Sequence, residues 1–334
     1  MSTFSRPSAK TLTRTVAVAA TAVGLGFVAP AGSVVSTTAA ADAASDCITA
    51  PADARTSHRS GVDPNSVSAA QAASMERSLN AKVRKLAASG VLARNGTARG
   101  GRHKIIKIKT YVHVITKKDG TGRVTRNQVR KQVAVMNKAF AGRTSADAAN
   151  TPFRFVLKGT DYTRNNDWYD WDYPEPGADN DDRKAKTALH RGGWDTLNIY
   201  TTNFTDVGLL GYANFPDEGK LARDGVVLLN ETLPGGSAAP FNEGDTGTHE
   251  VGHWLALFHT FENGCKRPGD YVKDTPFQAD GDNIFSCDES LDTCKQPGMD
   301  PVHNFMSYGD DPCLDHFTHG QERRMTKAWF AFRA

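Results

Sequence analysis

The sequence predicts an α/β (α+β) fold: a twisted mixed sheet carries a metal-binding helix, and a loop-rich, disulfide-bonded C-terminal subdomain follows. Three observations predict it. Strand and helix patterns follow one another in βα order from about Lys104 to Leu229, as in a layered α/β domain. The stretch Thr248-His249-Glu250-Val251-Gly252-His253-Trp254-Leu255-Ala256-Leu257-Phe258-His259 then sets two histidines four residues apart. On a helix that spacing directs both imidazoles at one metal, with Glu250 alongside. Beyond it, Cys265, Cys287, Cys294 and Cys313 fall in a region rich in Asp, Pro and loop residues.

Taken in order, the chain opens with scattered cations (Arg6, Lys10, Arg14), an apolar run from Val16 to Val28 and the small residues Ala39-Ala40-Ala41-Asp42-Ala43. This is the layout of a secretory signal cut after Ala41 or Ala43, and the run is too short and too rich in Ala and Gly for a membrane anchor. Residues 1–43 therefore read as a signal peptide and the rest as an exported, extracellular protein. No Arg-Arg pair precedes the apolar run, which favours general export over the twin-arginine route. Cys47 is the one cysteine outside the C-terminal cluster. It reads either as a thiolate that ligates zinc and holds a precursor latent or as an incidental free thiol. Met75, Leu79, Val83 and Leu86 recur at helical spacing between Ser66 and Ser89, and Gly90 ends that helix. Arg94-Asn95-Gly96-Thr97-Ala98-Arg99-Gly100-Gly101-Arg102 is small, polar and basic, a cleavable linker. Residues 44–102 thus read as a pro-segment ahead of a main domain at 103–334.

In that domain Ile106, Ile108, Thr110, Val112 and Val114 alternate with Lys107, Lys109, Tyr111 and His113, the pattern of a first strand. Thr125-Arg126-Asn127-Gln128 forms a capping box, and Val129, Val133, Met136 and Phe140 make one apolar face behind it. Phe153, Phe155 and Leu157 predict a second strand, Ala185 to His190 a short helix stopped by Gly192-Gly193, and Thr196 to Tyr200 a third strand. Asn165 to Asp182, crowded with Asp, Trp, Tyr and Pro, reads as a solvated loop. Its acidic residues lack a calcium-ligand spacing. Gly208 to Phe215 reads as an edge strand because Pro216 ends it, and Val226-Val227-Leu228-Leu229 as a buried strand. The C-terminal segment ends in a helix from about His319, with Met325, Trp329 and Phe332 at core spacing. His303, His316 and His319 read as surface groups. The four clustered cysteines contain no C-x-x-C pair and read as two disulfides, with three connectivities open.

His259 lies ten residues beyond His249, which on one continuous helix is about 15 Å along the axis and about 80° round the face. For a third imidazole to reach the metal, the helix must stop near Ala256. Three neutral imidazoles leave one tetrahedral position open, as in catalytic rather than closed structural zinc sites. Zinc lowers the pKa of a water held there towards roughly 7, and Glu250 is placed to take its proton, so the pattern predicts metal-assisted hydrolysis. The bland reading is a chance His-Glu-x-x-His on an ordinary helix. The third histidine and the downstream Asn304-Phe305-Met306-Ser307-Tyr308-Gly309 weigh against it. A formal net charge of +3 gives no case for a nucleic-acid partner, and no stretch past the signal is long enough to span a bilayer.

Several separated motifs agree in order: Gly235-Gly236-Ser237, Asn242-Glu243-Gly244-Asp245-Thr246, the histidine stretch, Gly264-Cys265, Gly269-Asp270-Tyr271-Val272, Asp274-Thr275-Pro276, Asn304-Phe305-Met306-Ser307-Tyr308, Asp311-Pro312-Cys313 and Phe317-Thr318-x-Gly320-Gln321-x-x-Arg324-Met325. Together they resemble the pappalysin family of metzincin zinc metallopeptidases, over essentially Lys104 to the C-terminus. The resemblance implies a metzincin-like zincin of two subdomains (103–259 and 260–334), secreted, monomeric and acting on protein or peptide substrates. By position, it makes His249, His253 and His259 the zinc ligands, Glu250 the general base and acid, Met306 the turn residue beneath the site and Tyr308 the transition-state donor. A substrate strand would pair with the edge strand around Gly211-Tyr212-Ala213. The implied disulfides are Cys265 to Cys294 and Cys287 to Cys313, and Asp270 and Thr275 are the implied calcium ligands. Some relatives prefer a basic side chain because an acidic residue stands beside the last cysteine; here Pro312 holds that adjacent position and Asp310 and Asp311 precede it, so a basic preference is an expectation of the resemblance. Ala256 departs from the pattern H-E-x-x-H-x-x-G-x-x-H, at a cost of about 1–2 kcal/mol if its backbone is left-handed. That departure is the one support for an alternative: a secreted metal-binding or adhesive protein that kept the site without turnover. A hydrolase of non-peptide substrates is a third reading that the motif alone permits.

Overall fold

Alternation of apolar and polar residues gives the sheet its long interior strand. A computed structural model describes residues 65–90, 104–171, 180–204, 208–216 and 219–334, all within the compact unit Thr49–Ala334. The expected signal peptide, Cys47, the linker and the middle of the Asp-rich stretch lie outside the described residues. Strand β1 (Ile106–Thr116) pairs in parallel with β2 (Phe153–Arg164) on one side and β3 (Thr196–Thr202) on the other. β5 (Val226–Leu229) continues in parallel beside β3, and the three-residue β4 (Gly211–Ala213) closes the sheet antiparallel to β5. The order is β2-β1-β3-β5-β4, so β4 is an edge strand, as its neighbouring proline foretells. Parallel neighbours require crossovers; α-helices lie between β1 and β2 and between β2 and β3, whereas the chain passes from β3 to β5 by way of β4.

Because side chains alternate between faces, one set of strand residues meets one helix layer and the next set another. Ile108, Val112, Val114, Leu197, Ile199, Val226 and Leu228 pack with Val129, Val133, Met136 and Phe140 of helix α2 (Arg126–Phe140) and with Val251 and Trp254. Ile115, Tyr200, Tyr212, Val227 and Leu229 form the opposite cluster with Tyr169, Trp171 and Ala185. α2 starts on the expected capping box, Thr125 and Gln128 capping reciprocally. Helix α1 (Ala69–Ala88) starts on another that composition did not signal, Ser68 with Gln71.

The stretch from Asn165 to Asp182 departs from the expected solvated loop. Helix α3 (Asn166–Tyr169) and the first turn of α4 (Asp181–Leu189) occupy its two ends, capped by Asn165 and Asn180. Tyr169, Trp171, Asp181 and Asp182 are buried. Asp182 is held there by Lys186, which is itself wholly buried at 2.7 Å, and by the Tyr212 hydroxyl at 2.6 Å. Lys186 lies one helical turn on from Asp182 and is buried with it beside Tyr212, which is why burying the charge is tolerated.

The C-terminal half hangs on the remaining helices. α5 (Asp245–Trp254) is the histidine helix, and α6 (His319–Ala328) runs into a π-helical turn, Trp329–Arg333. Between them the chain is loop-rich and carries the disulfides Cys265–Cys294 and Cys287–Cys313. Arg333 returns to the end of α5: its Nε donates to Trp254 O at 2.9 Å, and its guanidinium lies 3.5 Å from the Trp254 ring centroid. It also forms a two-pronged ion pair with Asp224 at 3.0 and 3.1 Å, while Trp254 Nε1 donates to the same carboxylate. No described helix is long and apolar enough to cross a membrane. Removing one member of a buried pair leaves the other charge unpaired, so Arg333→Ala or Asp224→Ala should each cost about 3–5 kcal/mol. Denaturant unfolding of the purified chain measures this, and a loss under 1 kcal/mol would show that the pair does not secure α5.

Candidate metal centre

α5 lacks a side-chain cap of its own. Its N-cap, Gly244, has φ 105°, a left-handed value that glycine adopts without penalty. The cap comes from across the fold: Asp311 Oδ2 accepts from the backbone N–H groups of Glu243 and Gly244 at 2.7 and 3.0 Å, with Asp245 N at 3.4 Å. A carboxylate there meets both the unpaired amides and the positive end of the helix dipole. Asp311 is buried with its Oδ2 engaged by these amides, whereas Asp310 is partly exposed.

The other end of α5 settles where His259 goes. Ala256 has φ 73°, its N–H bonds His253 O at 2.8 Å, and Leu257 N–H bonds Gly252 O at 3.0 Å. These are the two bonds of a Schellman turn with alanine in the usual glycine position. Arg324 Nε donates to Ala256 O at 2.8 Å and holds the turn from α6. The chain thus leaves the helix where the spacing argument requires, and His259 comes back over the face that carries His249 and His253.

His253 Nε2 lies 3.0 Å from both His249 Nε2 and His259 Nε2, close to the separation of about 3.3 Å for nitrogens bound at about 2.0–2.1 Å to one tetrahedral ion. All three rings are buried. Their outer nitrogens are engaged: His249 Nδ1 donates to Phe305 O at 2.6 Å and His253 Nδ1 to Leu257 O at 2.8 Å. Those bonds fix the tautomers and turn the Nε2 lone pairs inward. Burial pushes His253 down to about 4. Burial, together with the other two rings, holds His259 well below the ordinary range. Neutral imidazoles are the form that binds metal, so the donor set fits zinc. The second close grouping of ligand-type residues among those described, Cys287, His303 and Cys313, is not a metal site because its thiols form a disulfide.

Three contacts shape the space round the imidazoles. Met306 packs its sulfur against Gly252, where any Cβ would collide with it. The Tyr308 hydroxyl lies 3.2 Å from His259 Nε2. Gly211 on β4 abuts Glu250, and a Cβ there would sit 2.9 Å from Glu250 Cγ. The structure brings Met306, Tyr308 and Glu250 round the histidines as a group, and the need for a bare Gly252 and Gly211 is what sequence reasoning missed. The one available signal was a glycine inside the helix motif, where glycine is otherwise unfavourable.

Other expected residues lie apart from the histidines. Asp270 and Thr275 occur together in the loop region: Asp270 Oδ1 accepts from Val272 N at 2.9 Å, while Asp270 Oδ2 and Thr275 Oγ1 are buried without a hydrogen bond of normal geometry. His303, expected to be a plain surface group, donates from Nδ1 to Cys313 O at 2.6 Å and pairs with Glu289 through Nε2.

The peptidase M43 profile, described as pregnancy-associated plasma protein-A, matches residues 185–329. An extracellular metalloprotease of Neurospora crassa is 38% identical over 269 residues, 78% of this chain and 85% of that protein. One from Verticillium alfalfae is 41% identical over 238 residues, 69% and 78% of the two chains. Among solved structures, mature mirolysin of Tannerella forsythia in complex with a cleaved peptide is 28% identical, with a TM-score of 0.54, over 67% of this chain and 91% of its own. Promirolysin is 25% identical, with a TM-score of 0.56, over 75% and 87%.

The contact at Gly211 yields a test that is local to one side chain. Gly211→Ala should displace the Glu250 carboxylate and lower peptide hydrolysis at least tenfold while bound zinc stays at one ion per chain. Turnover and metal content of the variant are the measurements; unchanged turnover would show that Glu250 has room to spare.

Proposed function

Because this chain belongs to the peptidase M43 (pappalysin) family of metzincins, we propose an assignment of its residues to the zinc-dependent endopeptidase activity that this membership carries. The protein is an extracellular zinc metalloendopeptidase, and its substrates are proteins or peptides. His249, His253 and His259 hold the zinc, which, when bound, supplies a Lewis acid that polarises a carbonyl oxygen and acidifies water. The observation that supports this set best is the convergence of three buried imidazoles, with His253 Nε2 3.0 Å from both His249 Nε2 and His259 Nε2.

The chain's own groups do the rest. The free edge of β4 pairs with the backbone of an extended peptide and lays the scissile bond over the histidines, as strand addition does elsewhere. Glu250 takes the proton from the attacking water and returns it to the leaving amine. The Tyr308 hydroxyl, set beside His259, donates to the oxyanion as charge develops on the carbonyl oxygen. Met306 packs under the imidazoles through the space that Gly252 leaves, and Asp311 holds the helix that carries His249 and Glu250. Residues 1–43 direct export, residues 44–102 form a pro-segment and Cys47 keeps the precursor latent. The working unit is one chain, since every group named comes from it. Glu250→Gln should retain zinc yet lose more than 99% of casein cleavage; zinc-loaded Glu250→Gln with near-normal turnover would remove Glu250 from the base role.

Asp270 and Thr275 hold a structural calcium. Two buried oxygens without normal hydrogen bonds are hard donors of the kind calcium takes. Burial raises the Asp270 carboxyl to about 7, against the smaller lowering effects of Val272 N–H, Arg324 and Thr275. A carboxyl whose folded pKa exceeds its unfolded one binds more protons when folded. The metal-free chain therefore loses stability as pH rises from about 4 to about 7 and stays at the lower level above that. Calcium should raise Tm at pH 8 and have little effect at pH 5. Asp270→Asn should raise the metal-free Tm at pH 8 and abolish the calcium response. Differential scanning fluorimetry decides it, and a Tm at pH 8 indifferent to millimolar calcium would rule the site out.

A further inference from the structure

Among the described strands β4 pairs along one edge only, with β5. Leu229 N–H bonds Leu210 O at 2.9 Å, and Asn214 N–H bonds Gly225 O at 3.0 Å. Residues 210 and 214 therefore turn their backbone groups towards β5. In an antiparallel pair this direction alternates along the strand, so Gly211 and Ala213 point theirs away from the sheet. Those are the rungs that a substrate strand would use, on the reading of β4 given above, and this inference rests on that reading. At Ala213 the rung is taken. The Asn65 carboxamide donates from Nδ2 to Ala213 O at 2.8 Å and accepts from Ala213 N–H at 2.9 Å. One side-chain amide thus reproduces the paired donor and acceptor of a peptide strand, and Asn65 is only 2% exposed.

The helix behind it is fastened to the same wall. Ala72, Val67 and Met75 pack on Phe215, Phe258 and Tyr271, and the Phe215 ring lies 5.2 Å from that of His253. Leu79 packs on Ala256 and Ala328. Glu76 pairs with Arg324 at 2.6 Å, the arginine that also holds the Ala256 carbonyl. The docking surface therefore runs from the free edge of β4 to the turn that delivers His259.

We propose that Asn65 stands in for one rung of a bound peptide, so that the segment Asn65–Ala88 competes with extended substrates at β4. The competition needs neither zinc nor Glu250, and it does not involve a thiol. It acts on substrates long enough to reach Ala213 and leaves shorter ones alone.

The test uses the full chain carrying Glu250→Gln to prevent turnover and Cys47→Ala to remove the thiol, with attachment of residues 65–88 checked by intact mass. Binding of two fluorescent peptides is read by anisotropy: an extended one that spans Gly211 to Ala213 and a short one confined to the zinc. Asn65→Ala should tighten the extended peptide about tenfold, since two hydrogen bonds no longer have to be displaced, and leave the short one unchanged. Asn65→Asp keeps the size but sets a carboxylate against Ala213 O, and it should act in the same direction. Equal affinity of parent and variants for the extended peptide, or an equal shift for both peptides, would overturn the proposal. Residual cleavage by the Glu250→Gln chain would instead count against the assignment of the base, separately from the Asn65 result.

Discussion

The structure depends on one constraint: three imidazoles must meet at a point, yet a helix can present only two of them. The third arrives through an abrupt left-handed turn at Ala256, and most of the surrounding contacts hold one side of that turn in place. Arg324 binds the turn carbonyl from α6, and Arg333 binds the last helical carbonyl, Trp254 O, from the chain's far end. Phe305 O and Leu257 O fix the rings of His249 and His253. Asp311 holds the opposite end of the helix. The segment from Phe305 to Asp311 therefore orients a ligand, fills the space beneath it and caps its helix within seven residues. A rigid frame of this kind is what a preorganised metal site requires.

Much of this was legible because it was local. Four-residue spacing gives the helix face, ten-residue spacing requires the turn, and the alternation from Ile106 and the apolar run from Val226 give the strands they predict. The capping box at Thr125 marks a boundary where the structure has it, whereas the edge strand expected over Gly208 to Phe215 is confined to Gly211–Ala213. The family motifs carried the disulfide pairing, which composition left open among three connectivities. Each of these signals lies in a short window, where the backbone itself sets the period.

What was illegible was non-local, and it was mostly charge. The resemblance offers no cap at Asp311, and only the approach of α5 makes it one. Asp181 and Asp182 read as part of a solvated loop, yet Asn180 caps their helix and Lys186 and Tyr212 accompany Asp182 into the interior. Arg333 looks like a frayed terminal residue and is instead 3% exposed. Burying an ion is tolerated only when a partner is buried with it. The fates of Asp311 and Arg333 are therefore set by residues tens of positions away, and that of Asp182 by the distant Tyr212 as well as by Lys186 on the next helical turn.

Ala256 shows how a local cost and a distant contact are linked. A left-handed alanine costs about 1–2 kcal/mol, whereas glycine there would cost little. The alanine adds a methyl group, and burying a group of that size contributes about 0.8 kcal/mol. Ala256 is 6% exposed and packs with Leu79 and Ala328, so part of the strain is offset by contacts that glycine would lack. One of those contacts belongs to α1, the other to α6. With glycine, the geometry of the turn would be indifferent to what covers it. With alanine, the turn that delivers His259 is better stabilised while Leu79 is in place, so the helix that carries Asn65 to the substrate edge also steadies the metal-binding turn beneath it.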